Sequence, residues 1–295
     1  MAKILCGKTV AKAVRADIRE LAGNYYKVNN CRPSLAIIQG GDRPDSNQYV
    51  GNKLKAAENN GIMATLNKIE EGTDDYFNEL KLAVKTANEI YDGIIVQVPV
   101  PGLASEQQKE LINLIRRGAD VDGMTEWAEG KFYTDPKSHK HTTPCTPMGI
   151  MKILEYYNIP LEGKKVVIIG RSNIVGRPLA HLMMTANATI TVCHSKTPLN
   201  DIWDYINSAD IVVCAIGKPE FINNWDFQGI DWSNKVLIDV GTNRVGNEWF
   251  GDISQQIKDK SYAYTPVPGG VGPMTITSLL QKVIDLSLIH ISEPT

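Results

Sequence analysis

The sequence predicts an α/β protein of two domains, each a mostly parallel sheet with helices on both faces, the second a Rossmann-like doubly wound sheet. Three observations carry this expectation. Short apolar strands alternate with helical stretches through most of the chain, as parallel strands joined by crossover helices require. The alternation runs once through residues 10–115 and begins afresh at 146, after a polar, proline-containing stretch at 135–143 that reads as the crossing between domains. The strand at 165–169 then ends in GRSNIVG, a glycine-bearing turn that opens a helix, as dinucleotide-binding loops do.

The elements follow in order. In the first domain, residues 1–142, helices are expected at 10–22, 76–90 and 106–115, and strands at 35–38, 62–69 and 93–98. In the second, residues 143–273, helices are expected at 146–157, 176–186 and 202–208. Its strands fall at 165–169, 189–193, 211–215 and 235–240. From 274 to about 290 the pattern turns helical and is expected to return and complete the first domain. Residues 286–295, LSLIHISEPT, lack a helical finish and read as an atypical, foreign extension without a function.

Composition bounds the function. The 295 residues give room for two hydrophobic cores, with 43% hydrophobic and 22% charged residues, as in soluble enzymes. The 31 basic and 33 acidic side chains leave a net charge of −2, so neither nucleic acid nor a membrane surface is expected as partner. The five cysteines (Cys6, Cys31, Cys145, Cys193, Cys214) are scattered and form no Cys-x-x-Cys pair. They read as thiols in a reducing compartment, with neither a disulfide frame nor a metal site. No apolar run approaches a membrane span and the N-terminus has no signal or transit composition, so a cytoplasmic protein is expected.

The stretch GDRPDSNQYVGNKLKA, residues 41–56, organises the rest. Gly41, Asp42 and Pro44 read as a turn, and Asp45 or Ser46 as the cap of a helix running to about Asn60, with Gly61 as its stop. Tyr49 and Lys53 stand four residues apart on that helix, so ring and amine share a face. An aromatic beside a movable proton donor suits a planar, nitrogen-rich substrate. Gln97 ends the apolar strand in IIVQVPVPG, either as a satisfied core amide or as a group aimed into a site. Asp120 and Asp122 share the turn DVDG, a solvated acidic turn or a ligand grip. Residues 266–275 hold three glycines and three prolines without evident structural need, and such small backbone lets a ligand approach.

In the second domain Gly170 and Gly176 bracket a loop whose N–H groups suit a pyrophosphate at a helix N-terminus. NAD enzymes usually carry an acid at the end of the next strand; here that strand ends in His194-Ser195-Lys196-Thr197. Hydroxyls and a cation there, with Arg171 nearby, suit the 2′-phosphate of NADP better than the bare ribose of NAD.

Together GDRPDSNQYVGNKLKA, IVQVPVPG, DVDG, PCTPMG, VVIIGRSNIVGRP, HSKT and TPVPGGVGPMT resemble, in order, the motifs of the bifunctional methylenetetrahydrofolate dehydrogenase/methenyltetrahydrofolate cyclohydrolase family, from about residue 8 to 285. The resemblance implies two α/β domains with a cleft between them, a folate substrate, NADP as cofactor and a homodimer. It also implies that Tyr49 stacks on the folate, that Lys53 is the catalytic amine with Gln97 as partner, and that Asp122 grips the pterin. Val96, Val98, Gly272 and Pro273 would line the folate pocket. Gly170, Arg171, Ser172, Ser195 and Thr242 would hold NADP, Thr242 standing where the family usually has Ile.

The chemistry is consistent with these roles. Losing hydride from the carbon between N5 and N10 leaves a cation stabilised by both nitrogens, so oxidation needs positioning more than a base. Hydrolysis of that cation needs water attack and a proton moved between oxygen and nitrogen, for which Lys53 is the available group. Two rivals are weaker. Short-chain dehydrogenases share Tyr-x-x-x-Lys, but their glycine loop precedes it, whereas here it follows. A non-catalytic nucleotide sensor would have no need of Lys53, Gln97 and Asp122 together.

Overall fold

The computed structural model describes residues 2–135, 140–223 and 225–292. In chain order the elements are β1 (Lys3–Ile4), α1 (Gly7–Asn29), β2 (Ser34–Gly40), α2 (Pro44–Glu58), β3 (Met63–Ile69), α3 (Tyr76–Ile90), β4 (Gly93–Val96), α4 (Ser105–Asn113) and α5 (Glu126–Thr134). They continue as α6 (Cys145–Tyr156), β5 (Lys165–Ile169), α7 (Gly176–Thr185), β6 (Thr189–Cys193), α8 (Leu199–Ser208), β7 (Ile211–Cys214) and β8 (Val236–Asp239). The hairpin β9 (Asn243–Val245) and β10 (Glu248–Phe250), then α9 (Gln255–Lys258), β11 (Ala263–Tyr264) and α10 (Val271–Ser292), complete the chain. Among the described residues no helix is long and apolar enough to cross a membrane.

The chain divides into two compact units, Val14–Cys145 with Ile276–Thr295, and Met1–Ala13 with Thr146–Thr275. Both α/β units are built on parallel sheets, as the sequence predicts. The boundaries differ from those expected. Lys3–Ile4 pairs with Ala263–Tyr264, so the first thirteen residues group with the second alternation. The expected crossing at 135–143 lies just ahead of the division at 145/146, and residues 136–139 of it fall outside the described residues.

The three-stranded unit has the strand order β3-β2-β4, all parallel. Every residue of β2 is buried, because both faces of the strand are covered. Leu35 and Ile37 point into a cluster with Ile18, Val50, Leu280 and Val283; Ala36 and Ile38 point the other way, toward Leu80, Val84 and Leu111. Side chains of the Val84 or Leu80 kind each contribute about 1.5–3 kcal/mol when fully buried. The helical finish expected to be missing is present: α10 runs on to Ser292, and Leu286 and Ser287 are buried within it. Leu286 packs into the core with Leu280 and Val283, whereas Leu288 and Ile289 are exposed.

The six-stranded unit has the order β1-β11-β8-β7-β5-β6, each pairing parallel. From β5 the chain moves to β6 on one side and then to β7 on the other. That reversal is the topological switch point, where ligands of such sheets bind outside the strand carboxyl ends.

A buried carboxylate network braces this edge. Asp252, wholly buried, accepts from the backbone N–H of Ile216 (2.8 Å), Gly217 (3.0 Å) and Lys218 (2.9 Å) and from Asn243 Nδ2 (2.9 Å). Gly241 must be glycine, since a Cβ there would lie 1.9 Å from Asp252 Oδ1. Asp239 in turn accepts from the N–H of Asp252 and Ile253 and pairs with buried Lys258 at 2.7 Å. Burial pushes the Asp239 carboxyl up, against the pull of Lys258 and the two N–H groups. Lys258→Met is therefore expected to lower the unfolding free energy by about 3–5 kcal/mol, because it strands Asp239 in the core. Urea denaturation measures this. A loss below about 1 kcal/mol would show that the pair contributes little.

Candidate active site

Helix α2 begins two or three residues earlier than a cap at Asp45 or Ser46 requires. Pro44 takes the first helical position, where its missing N–H is harmless, and Arg43 is the N-cap without a side-chain capping bond. Asp45 sits inside the first turn, accepting from its neighbour Ser46 N–H (2.9 Å) and pairing with Arg43 (2.7 Å). The helix stops at Glu58 with Asn59 as C-cap, and Gly61 takes φ +78° just beyond.

Tyr49 is 56% exposed on this helix, and Lys53, one turn on, is half-buried. Lys53 Nζ donates to Gln97 Oε1 at 3.0 Å. The amide orientation follows from its other bond: Gln97 Nε2 donates to Val98 O at 2.9 Å, and a carbonyl can only accept. Gln97 is therefore not a satisfied core amide alone. Its backbone N–H extends the ladder of β4 by bonding Ile38 O at 2.8 Å, which fixes the side chain at the strand's carboxyl end. Val96 is buried there and Val98 half-buried.

The DVDG turn lies beside β4, with Ile94 bridged to Asp120. Asp120 is buried and its carboxylate accepts from Gly123 N–H and Thr125 N–H, both at 2.8 Å. It is thus the structural acid of the pair. Asp122 is half-buried and, among the described residues, has no hydrogen-bond partner. Cys145 Sγ donates to Val121 O at 3.2 Å, and burial pushes this thiol up to about 12, with the charges of Lys282, Asp122, Lys53 and Asp120 also acting on it. A thiol held protonated is no nucleophile. The structure thus brings Lys53, Gln97 and Asp122 into one region of the three-stranded unit, around Cys145.

The nucleotide loop lies in the six-stranded unit. Gly170 has φ +125° and its Cβ would lie 2.4 Å from Ala215 O; one at Gly176 would lie 2.1 Å from Gly170 O. These two positions admit only glycine, so backbone curls tightly over the N-terminus of α7. Ser172 Oγ accepts from Val175 N–H (3.2 Å) and Gly176 N–H (3.4 Å), a brace within the loop. Arg171 is exposed and, among the described residues, without an ion-pair partner. After β6, Thr197 Oγ1 accepts from His194 N–H (3.0 Å) and His194 Nδ1 from Lys196 N–H (3.2 Å), which leaves Ser195 exposed at the tip of a tight turn. Thr242 is exposed beside Asn243, which Asp252 holds. Cradle, cation and hydroxyl fit a phosphorylated dinucleotide.

The glycine-proline segment at 266–275 has the structural need that the sequence did not reveal. Lys8 N–H bonds Gly269 O at 3.1 Å, and a Cβ on Gly7 would lie 1.8 Å from Gly270 O. Gly7 is therefore required by that contact, Gly270 because its own Cβ would lie 2.5 Å from Pro266 O, and Gly269 by its φ of +108°. Gly272, exposed, and Pro273, half-buried, open α10 in the same unit; a Cβ on Gly272 would meet nothing within 4 Å. Two groups escaped the sequence reading, Asp252 and Lys282, while Cys145 reads there only as a scattered thiol. Only Lys282 carried a visible signal, a lysine on the apolar face of a helical stretch.

Two family models match. Residues 5–122 match the catalytic domain of tetrahydrofolate dehydrogenase/cyclohydrolase, and residues 144–290 its NAD(P)-binding domain. The chain is 38% identical over its whole length to the bifunctional protein FolD of Bdellovibrio bacteriovorus, covering 99% of that protein. It is 43% identical over 97% of its length to the cytoplasmic C-1-tetrahydrofolate synthase of Schizosaccharomyces pombe, but spans only 30% of that protein. Among solved structures, the methylenetetrahydrofolate dehydrogenase-cyclohydrolase of Trypanosoma brucei, complexed with NADP and an inhibitor, superposes with a TM-score of 0.90 at 30% identity, covering 99% of each chain.

Proposed function

The chain belongs to the tetrahydrofolate dehydrogenase/cyclohydrolase family and is a bifunctional enzyme of that family, and we propose that it oxidises 5,10-methylenetetrahydrofolate to 5,10-methenyltetrahydrofolate with NADP+ and hydrolyses the product to 10-formyltetrahydrofolate. The observation that carries this reading is the bond from Lys53 Nζ to an amide whose orientation is fixed by Val98 O. An amine held so cannot swing freely, yet it keeps further N–H groups for substrate and water. Tyr49 offers its exposed ring for stacking on the pterin, with Val96 and Val98 beside Gln97 as apolar wall. Asp122, whose carboxylate accepts no hydrogen bond among the described residues, accepts the pterin's amino edge. Gly272 and Pro273, given to the folate by the family resemblance, lie in the six-stranded unit and take no part in this assignment.

NADP+ supplies the hydride acceptor when bound. The chain's part is to hold it: the loop at Gly170 and Gly176 offers N–H groups to the pyrophosphate, with Arg171, Ser172 and Ser195 for phosphate oxygens and Thr242 on the neighbouring wall. The Trypanosoma brucei relative's NADP supports that choice over NAD. In hydrolysis, Lys53 moves the proton between the attacking water's oxygen and the leaving nitrogen while Gln97 keeps the amine in place. We assign folate to the three-stranded unit and the dinucleotide to the six-stranded one, in a cytoplasmic homodimer. The open edge of β3 is the surface a second copy would use.

Lys53→Gln should reduce hydrolysis by about 10²–10⁴-fold and leave hydride transfer measurable, since only hydrolysis needs proton transfer by the amine. Methenyl formation and decay in the ultraviolet report both steps. Hydrolysis within a few-fold of wild type would remove Lys53 from its role.

Asp122→Asn should weaken both activities together, a charged hydrogen bond being worth on the order of 1.5–3 kcal/mol. Loss of one activity alone, with folate binding intact, would rule the clamp out.

Arg171→Ala should raise the KM for NADP+ far more than that for NAD+, because a charge-assisted contact is roughly twice a neutral one. Ser195→Asp adds a carboxylate that repels the 2′-phosphate, and the double variant is expected to lose most discrimination or to prefer NAD+. Steady-state kinetics with both cofactors decides the matter; a wild type faster with NAD+ would end the NADP assignment.

A further inference from the structure

Lys282 lies on α10 with no part of its side chain exposed, in a helix that buries Leu279, Val283 and Leu286 around it. Among the described residues it forms no ion pair, and its one hydrogen bond goes to Val121 O at 2.9 Å. A buried ammonium with so little compensation ordinarily destabilises a fold, and methionine would fill the same space. Nor is the ammonium needed to satisfy Val121, whose carbonyl already accepts from Cys145 Sγ. What only Lys282 brings is charge.

Val121 stands between two carboxylates. Asp120 has both oxygens bound to backbone N–H groups, and Asp122 has none bound among the described residues. Two like charges two residues apart in a partly buried turn repel each other. A cation seated on the carbonyl between them offsets that repulsion. The turn is tight there: Gly123 takes φ +73°, and a Cβ on it would lie 2.3 Å from Thr142 O and 3.4 Å from Lys282 Nζ. Of the charges acting on the neighbouring Cys145, that of Lys282 is the strongest.

We propose that Lys282 is a positioning residue for the folate clamp, a buried counter-charge that holds the 120–123 turn so that Asp122 meets the pterin as a carboxylate in one orientation. The proposal rests on the role given to Asp122 above. Two variants test it in the full-length enzyme. Lys282→Met removes the charge and keeps the volume; Lys282→Gln also removes the charge but keeps an N–H for Val121. Both are expected to raise the KM for methylenetetrahydrofolate on the order of 10-fold, with the KM for NADP+ unchanged and a melting temperature equal to or above wild type. Should the Met variant fail to fold, the Gln variant carries the test alone. A folate KM within about twofold of wild type in a folded variant would overturn the proposal. So would a rise of both KM values with a fallen melting temperature, the mark of a packing role, or full rescue by Gln, the mark of a hydrogen bond without need of charge. Asp122→Asn separates the two claims. If it leaves the folate KM unchanged, the clamp itself is wrong; if it raises KM while Lys282→Met does not, only the counter-charge falls.

Discussion

Parallel strands buried on both faces end in backbone N–H groups that water cannot reach, and each must find an acceptor. In this protein buried carboxylates take that part at the strand carboxyl ends. Asp120 accepts from the turn beside β4, and Asp252 accepts from three successive N–H groups beyond β7. Asp239, itself the last residue of β8, accepts from two more. Each carboxylate holds a loop that lies where an α/β sheet binds its ligand, so satisfying the backbone and shaping the site are one task.

That sharing explains how roles divide between similar residues. Of the two acids in DVDG, the one that completes the backbone is buried and committed, and the other accepts no hydrogen bond among the described residues. The same division separates Gly269, fixed by its φ of +108°, and Gly270, fixed against Pro266 O, from Gly272, whose Cβ would meet nothing within 4 Å. Ser172, whose hydroxyl braces its own loop, differs likewise from Arg171, which reaches outward. A motif mixes residues that build with residues that act.

The sequence was most legible where periodicity is strong and local. The bounds of α3, β5 and β6 agree with expectation because apolar spacing alone sets them. Two-residue strands such as β1 and β11 carry no pattern to read, and α5 buries only Ala128 and Phe132, too little for a clear stripe. The hairpin of β9 and β10 was missed although Gly246-Asn247 between them is a turn signal; its strands are too short and exposed to alternate visibly. In the site, Tyr49 and Lys53 could be paired by helical spacing. The bond from Lys53 to Gln97 spans 44 residues, and that from Lys282 to Val121 spans 161, distances at which only the folded sheet makes neighbours.

The pairing of Lys3–Ile4 with Ala263–Tyr264 has a consequence for the newborn chain. The strand Lys3–Ile4 has no partner until Ala263–Tyr264 has been synthesised. The core of the three-stranded unit also waits for Leu279, Leu280, Val283 and Ile284. Neither unit can close while the ribosome is still translating the middle of the message, although domains usually fold in turn from the N-terminus. Until those residues have been made, β2 and its neighbours remain exposed along one face. Such a nascent chain is a natural client for chaperones, and a ribosome stalled shortly before residue 263 would hold both halves unfinished at once.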